Sequence, residues 1–310
     1  MKTILLWLSL PVAALPAQKA NATLVGKPPT LEIRYESLPV GEHSLAELGV
    51  GKKWRLGSSH DASTLQTSTP LLAGDAWIAP GCYRVQLYRD SETSCSLWPE
   101  GAEHALLQVE PIRIAGKLGT LPKPAAHLAI ELRPQGQLAP GKLTADVELR
   151  FGADQWLGSV VVLGSEVVAL PGAQLTTFRV PASRLGQGPV PIATLQQNQG
   201  NQVAARWNVL WTSGKVRLVP WREPPATNFG RIDPIDPGAV LECRVTSLPF
   251  VGDQPLEVLE LREPTLERGE LRWVVAFGTT RVECRVQEPA LPKPKPTEPQ
   301  QPKSSAEGGR

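Results

Sequence analysis

Proline and glycine restrict this chain more than any other feature. Its 310 residues include 31 Pro and 27 Gly, and a Pro inside a helix both removes a hydrogen bond and clashes with the preceding turn. Between these interruptions the residues alternate in character, as half-buried strands do, over Thr30 to Tyr35, His127 to Leu132 and Leu143 to Phe151. Ser44 to Leu48 is the one helical candidate in the first third, and it is a single turn. The expected fold is therefore all-β: two β-sandwich-like units with antiparallel sheets, built from short strands joined by turns.

The first twenty residues read as a secretory signal peptide. Lys2 gives a positive start, and Ile4 to Leu15 form an apolar run too short to span a bilayer. Val12 with Ala14, or Leu15 with Ala17, suit the positions before a cut, which places cleavage between 14 and 20. No cysteine follows the run to take a lipid, and no later stretch is apolar for long enough to be an integral membrane anchor. The expected location is outside the cytoplasm, in the periplasm or beyond the cell. Net charge is +2 and no basic run is interleaved with aromatics, so nucleic acid is not an expected partner.

The chain divides, on composition, into a flexible entry at 21–29, a first β unit at 30–115, a connector at 116–124 rich in Gly, Lys and Pro, and a second β unit at 125–288. The middle, about 125–250, is either a domain of its own or an insertion, and the last strands are expected to return to the first sheet. Gln187 to Asn201 reads as a loop, and Val203 to Trp211 pairs with Lys215 to Trp221 across Thr212-Ser213-Gly214. From 289 to 310 the sequence falls to Pro, Lys, Glu, Gln, Ser and Gly, the composition of a disordered tail.

Four cysteines form two local pairs. Cys82 and Cys95 flank the turn-like Arg89 to Glu92, and Cys243 and Cys284 sit in the near-identical strings Leu241 to Val245 and Val282 to Val286. In an oxidising compartment such pairs are expected as disulfides. A zinc site would want close Cys-x-x-Cys or Cys/His spacing, which is missing; no metal and no cofactor is expected.

The order Lys53-Trp54-Arg55-Leu56-Gly57, then Thr67-Ser68-Thr69, then Ile78-Ala79-Pro80-Gly81-Cys82-Tyr83 resembles a family of exported bacterial domains known only as a domain of unknown function (number twenty-nine eleven). That family shows a Trp-Arg-x-Gly string, a threonine-rich strand and a Pro-Ala-Gly-x-Tyr turn; Trp273 through Val282 is similar to its closing strand. The likeness covers about a third of the chain. This sequence departs from it at Leu56 to His60 and in its long middle section. The resemblance implies a β-rich fold and export, and no reaction.

No catalytic residue is assigned. His43, His60, His104 and His127 are not spaced as ligands on one element, Ser58-Ser59-His60-Asp61 reads as a solvated turn, and none of the common nucleophile, zinc or phosphate-binding strings occurs. Tryptophan is the unusual feature: nine Trp outnumber five Phe and three Tyr together. Trp207 and Trp211 lie four apart on one strand and share a face. Such rings either fill the core or stack on a flat ligand. Arg55, Arg84 and Arg113 either line a basic groove or pair with cross-strand acids. Trp54, Arg55, Trp207 and Trp211 are accordingly the candidate ligand-binding residues of a non-enzymatic module, with carbohydrate or another cell-envelope component as the expected partner. A polysaccharide hydrolase or lyase using carboxylates from distant strands, and a structural envelope protein, are the alternatives.

Overall fold

The computed structural model describes residues 18–24, 31–40, 44–56, 63–139, 142–186, 188–223 and 232–287. The leader up to residue 17, the Ser58 to Asp61 run and the tail from 288 lie outside the described residues. The all-β expectation holds: strand accounts for 68% and helix for 5% of the described residues, and the strands form antiparallel sheets.

The first sheet contains β1 (Gln18–Leu24), β2 (Leu31–Ser37), β3 (Lys53–Arg55), β4 (Thr64–Thr67), β5 (Leu71–Ala73), β6 (Ala76–Ile78), β7 (Gly81–Arg89), β8 (Ser94–Glu100), β9 (Ile114–Ala139) and β10 (Lys142–Leu163). Their order is β1-β2-β4-β7-β8-β9-β10-β5-β6, with β3 beside β4 on the same edge of β7. The sheet curls until the chain just past β2 meets β9: Leu128 N donates to Leu38 O at 2.8 Å and Val40 N to Ala126 O at 3.1 Å. Period-2 alternation explains the interior. Leu65, Tyr83, Val85, Leu87, Leu97, Ile114 and Leu149 point into one core and are at most 1% exposed.

The second sheet is a meander of β11 (Ser165–Leu170), β12 (Ala173–Phe178), β13 (Val190–Gln199), β14 (Gln202–Thr212), β15 (Lys215–Pro220) and the short β16 (Leu241–Glu242). The third holds β17 (Arg244–Ser247), β18 (Leu256–Glu267), β19 (Glu270–Gly278) and β20 (Thr280–Gln287) in the order β17-β20-β19-β18. These two sheets meet at two corners. At one, the chain passes from β16 through Cys243 into β17; at the other, Leu259 N donates to Val180 O at 2.8 Å. Tight hairpins need left-handed backbone at both turn positions, and Ser213-Gly214 (φ 46° and 84°) and Arg268-Gly269 (φ 53° and 75°) supply it.

The paired strands expected at 127–132 with 143–151, and at 203–211 with 215–221, are present. Several boundaries require correction. The flexible entry begins as β1, fully paired to β2. The connector at 116–124 is the interior of β9, so the first sheet runs on to Leu163 and the chain changes sheet at Gly164. The Gln-rich 187–201 stretch is mostly β13, a strand because Ile192, Ala193 and Leu195 bury one side. The final strands form their own sheet against the second and do not return to the first.

Candidate functional site

Burial divides the tryptophans. Trp77, Trp156, Trp207, Trp211 and Trp273 are buried, whereas Trp54, Trp98 and Trp221 are half-buried. Trp211 is 4% exposed and stands edge-on to Phe277, with ring centroids 5.0 Å apart and planes at 77°. This corrects the expectation that Trp207 and Trp211 offer an open stacking face. They do share a face, but β14 lies inside the sheet between β13 and β15, and the third sheet covers Trp211. Burying an indole removes 150–250 Å² from water, which favours the core.

At the other end of β14 the sheet opens into a groove of about 680 Å³. Trp207 reaches it only at its margin, being 8% exposed. The hollow exists because the facing positions are small: Ala204 and Ala205 on β14, Gly238 and Ala239 on the turn opposite. That turn is fixed by Asp236, whose Oδ1 accepts from Gly238 N at 2.9 Å. Trp221 extends the β15 pairing by one residue, its N–H donating to Arg206 O at 2.9 Å, which sets its indole in the wall. Arg206 is held from two sides: Nε donates to Gln196 Oε1 at 3.2 Å and the guanidinium lies 5.4 Å from the Trp221 ring centroid. Glu223 is the one acid among the described lining residues. The groove thus offers an apolar floor, one indole, one guanidinium and one carboxylate, a set suited to holding a ring with polar edges.

The other expected residues lie elsewhere. Trp54 packs on Phe151 at 4.8 Å beside a separate hollow of about 350 Å³. Arg55 is exposed on β3, opposite Gln86. The three arginines do not form one groove, since Arg84 is buried 3.6 Å from Glu100 and Arg113 lies 3.3 Å from Asp90. Arg206 and Glu223 gave no motif to read. The small pair Ala204-Ala205 before a tryptophan was the available signal.

The cysteines are four buried thiols. Cys95 faces Arg89 across the β7–β8 hairpin, and Cys82 lies at the far end of β7, roughly 23 Å along the strand at about 3.3 Å per residue. The expected Cys82–Cys95 disulfide is therefore corrected by the register. Cys243 and Cys284 are different: Val245 faces Cys284 and Arg244 faces Arg285, so the two thiols are diagonal neighbours on one buried face. Burial pushes Cys82 and Cys95 up to about 11 and Cys284 up to about 12, and raises Cys243, which the nearby Cys284 raises further. Among the described residues no group of His, Cys, Asp and Glu is arranged to hold a metal, and no helix is long and apolar enough to cross a membrane. No family model matches this chain, and comparison with curated proteins and with solved structures returns no match.

Proposed function

We propose that the chain is an exported, non-enzymatic binding module that takes carbohydrate or another cell-envelope component in the groove beside β14 and β15. The observation that carries this reading is the half-buried indole of Trp221 in the wall of the 680 Å³ groove. A sugar presents an apolar C–H face and a polar rim; the indole receives the first, while Arg206 and Glu223 bond the hydroxyls. Export is supported by the apolar leader and by the likeness to exported domains carried by Trp54-Arg55 and Pro80 to Tyr83; an oxidised Cys243–Cys284 pair would accord with it.

Titration of tryptophan fluorescence against a panel of cell-wall and polysaccharide fragments tests the site. A saturable change is expected in the full chain and its loss in Trp221→Ala, with Trp54→Ala unaffected. Absence of any response, or one that survives Trp221→Ala, overturns the reading. N-terminal sequencing of protein recovered from the periplasm or medium is expected to begin at Gln18, since a cut after Ala17 leaves the whole of β1 to pair with β2. Retention of the uncut chain in the cytoplasm would overturn export.

A further inference from the structure

A second surface lies on the outside of the first sheet, away from the groove. Register places Lys53 opposite Tyr88 and Trp98 opposite Gln86, so these side chains share the outward face of β3, β7 and β8. Two cations converge on one indole there. Lys53 Nζ sits 4.4 Å from the Trp98 ring centroid, and the Arg113 guanidinium lies 6.0 Å from it and 3.8 Å from that of Tyr88. Like charges gathered this closely repel unless an anion separates them. Asp90 meets Arg113, and Ser96 Oγ donates to its other oxygen at 2.5 Å, so its single negative charge offsets one of the two cations. Lys53 has no acid within ion-pair distance among the described residues. Along the sheet, Lys117 on β9 is exposed opposite Ser94 and adds a further positive charge.

We propose that this face binds an acidic polysaccharide, its carboxylates received by Lys53 and Arg113 around the Trp98 ring. The rings hold the two long cationic side chains down on the sheet by cation–π attraction, so their charges are placed before a ligand arrives. From β3 to β9 the face crosses three strand spacings, roughly 14 Å, which suits a chain carrying a charge on each sugar better than a single small anion. Nucleic acid fits less well, because base recognition uses open aromatic faces and here the cations lie over the rings. Arg113 keeps its exposed edge beside its single contact to Asp90, so the face carries one more positive charge than the acid beside it offsets.

Affinity electrophoresis of the full chain in gels containing polygalacturonate, neutral dextran or polyphosphate, with a single-stranded oligonucleotide tested in parallel, separates the outcomes. Retardation is expected with polygalacturonate alone, weakening as salt is raised. Lys53→Gln combined with Arg113→Gln is expected to weaken it at least about tenfold, while Arg268→Gln, a cation on a distant hairpin, and Trp221→Ala in the groove leave it unchanged. Lys53→Gln alone, at an exposed position, is expected to give part of the loss and serves if the double variant melts early. The proposal is overturned by no retardation, by an equal loss in Arg268→Gln, or by polyphosphate or oligonucleotide binding as tightly as polygalacturonate. Because Trp221→Ala is included, failure of this face and failure of the groove are read separately.

Discussion

Tyr83 occupies the space that a side chain at Gly81 would need: a Cβ there would lie 2.7 Å from Tyr83 Oη and 2.8 Å from its Cζ. The phenol folds back along its own strand and donates to Ala79 O at 2.7 Å. Tyr83 is 1% exposed and cannot swing aside. Gly81→Ala is therefore expected to cost about 1–3 kcal/mol by overpacking, and Tyr83→Phe about 1–3 kcal/mol by leaving the Ala79 carbonyl unmet. Urea unfolding followed by circular dichroism measures both. A midpoint unchanged in Gly81→Ala would show that the turn relaxes freely.

The same turn anchors the second unit to the first. Asn208 is fully buried on β14 and its Nδ2 donates to Pro80 O at 2.9 Å, while Cys82 N donates to Arg222 O at 2.9 Å. Asn208→Ala leaves a buried carbonyl without its donor and is expected to cost about 1–3 kcal/mol. Its effect should not add simply to that of Tyr83→Phe, because the two bonds fall on consecutive carbonyls of one turn. A double-mutant cycle giving a coupling under about 0.5 kcal/mol would show the two bonds to be independent.

Period-2 alternation made the strands legible where one face is buried, as at His127 to Leu132, and the turn residues made the Val203 to Trp221 hairpin legible. Alternation says which residues share a face. It does not say which face is covered, and that depends on where distant strands return, so Trp211 was open to both readings until β19 placed Phe277 against it. Register is likewise beyond a local pattern: Cys82 and Cys95 lie on strands that do pair, yet the pairing sets them at opposite ends. Arg206 and Glu223 come from separate segments and become neighbours only because β15 and the Pro237 turn close around β14.

Gly116 reads as the start of a connector and Gly158 as the start of an apolar strand, and both act as clearance. The Trp156 indole lies over both, and a Cβ at Gly116 would be 2.4 Å from its ring, one at Gly158 2.6 Å. The indole is wholly buried and its Nε1 donates to Cys95 O at 2.8 Å on β8, so β8, β9 and β10 are joined through one side chain. Gly116→Ala is expected to cost about 3 kcal/mol, at the upper end of overpacking, and more than Gly119→Ala, whose Cβ would meet only Gln155 Oε1 at 3.8 Å. Equal melting temperatures for the two variants would refute the clearance role.

Cys243 sits where the chain leaves the second sheet for the third, and Cys284 lies beside it on β20. A bond between them would tie β17 to β20 across that corner, and closing the roughly 40-residue loop would stabilise the chain by about 3–4 kcal/mol on a chain-entropy account. Protein purified from an oxidising compartment is expected to be lighter than the fully reduced chain by two hydrogens, with Cys82 and Cys95 alkylated only after unfolding. Mass spectrometry of peptides after alkylation decides it. A peptide linking Cys82 to Cys95 would contradict the β7–β8 register.

Stability should depend on pH in the alkaline range, in a direction fixed by the buried thiols. Cys82 and Cys95 are raised from about 9 to about 11 because burial penalises the thiolate, and Tyr83 is raised for the same reason. The unfolded chain thus releases these protons at lower pH than the native one does, and the native state is favoured while all of them are held. That contribution is complete below about pH 8.5 and is lost as pH rises through the window from about 9 to 11. The urea midpoint is expected to fall across this window in the parent chain and to fall less in Cys82→Ala combined with Cys95→Ala. Comparing slopes at matched pH separates the thiols from the lysines and tyrosines that titrate in both proteins. Identical slopes would mean that the two thiols reach solvent in the native state.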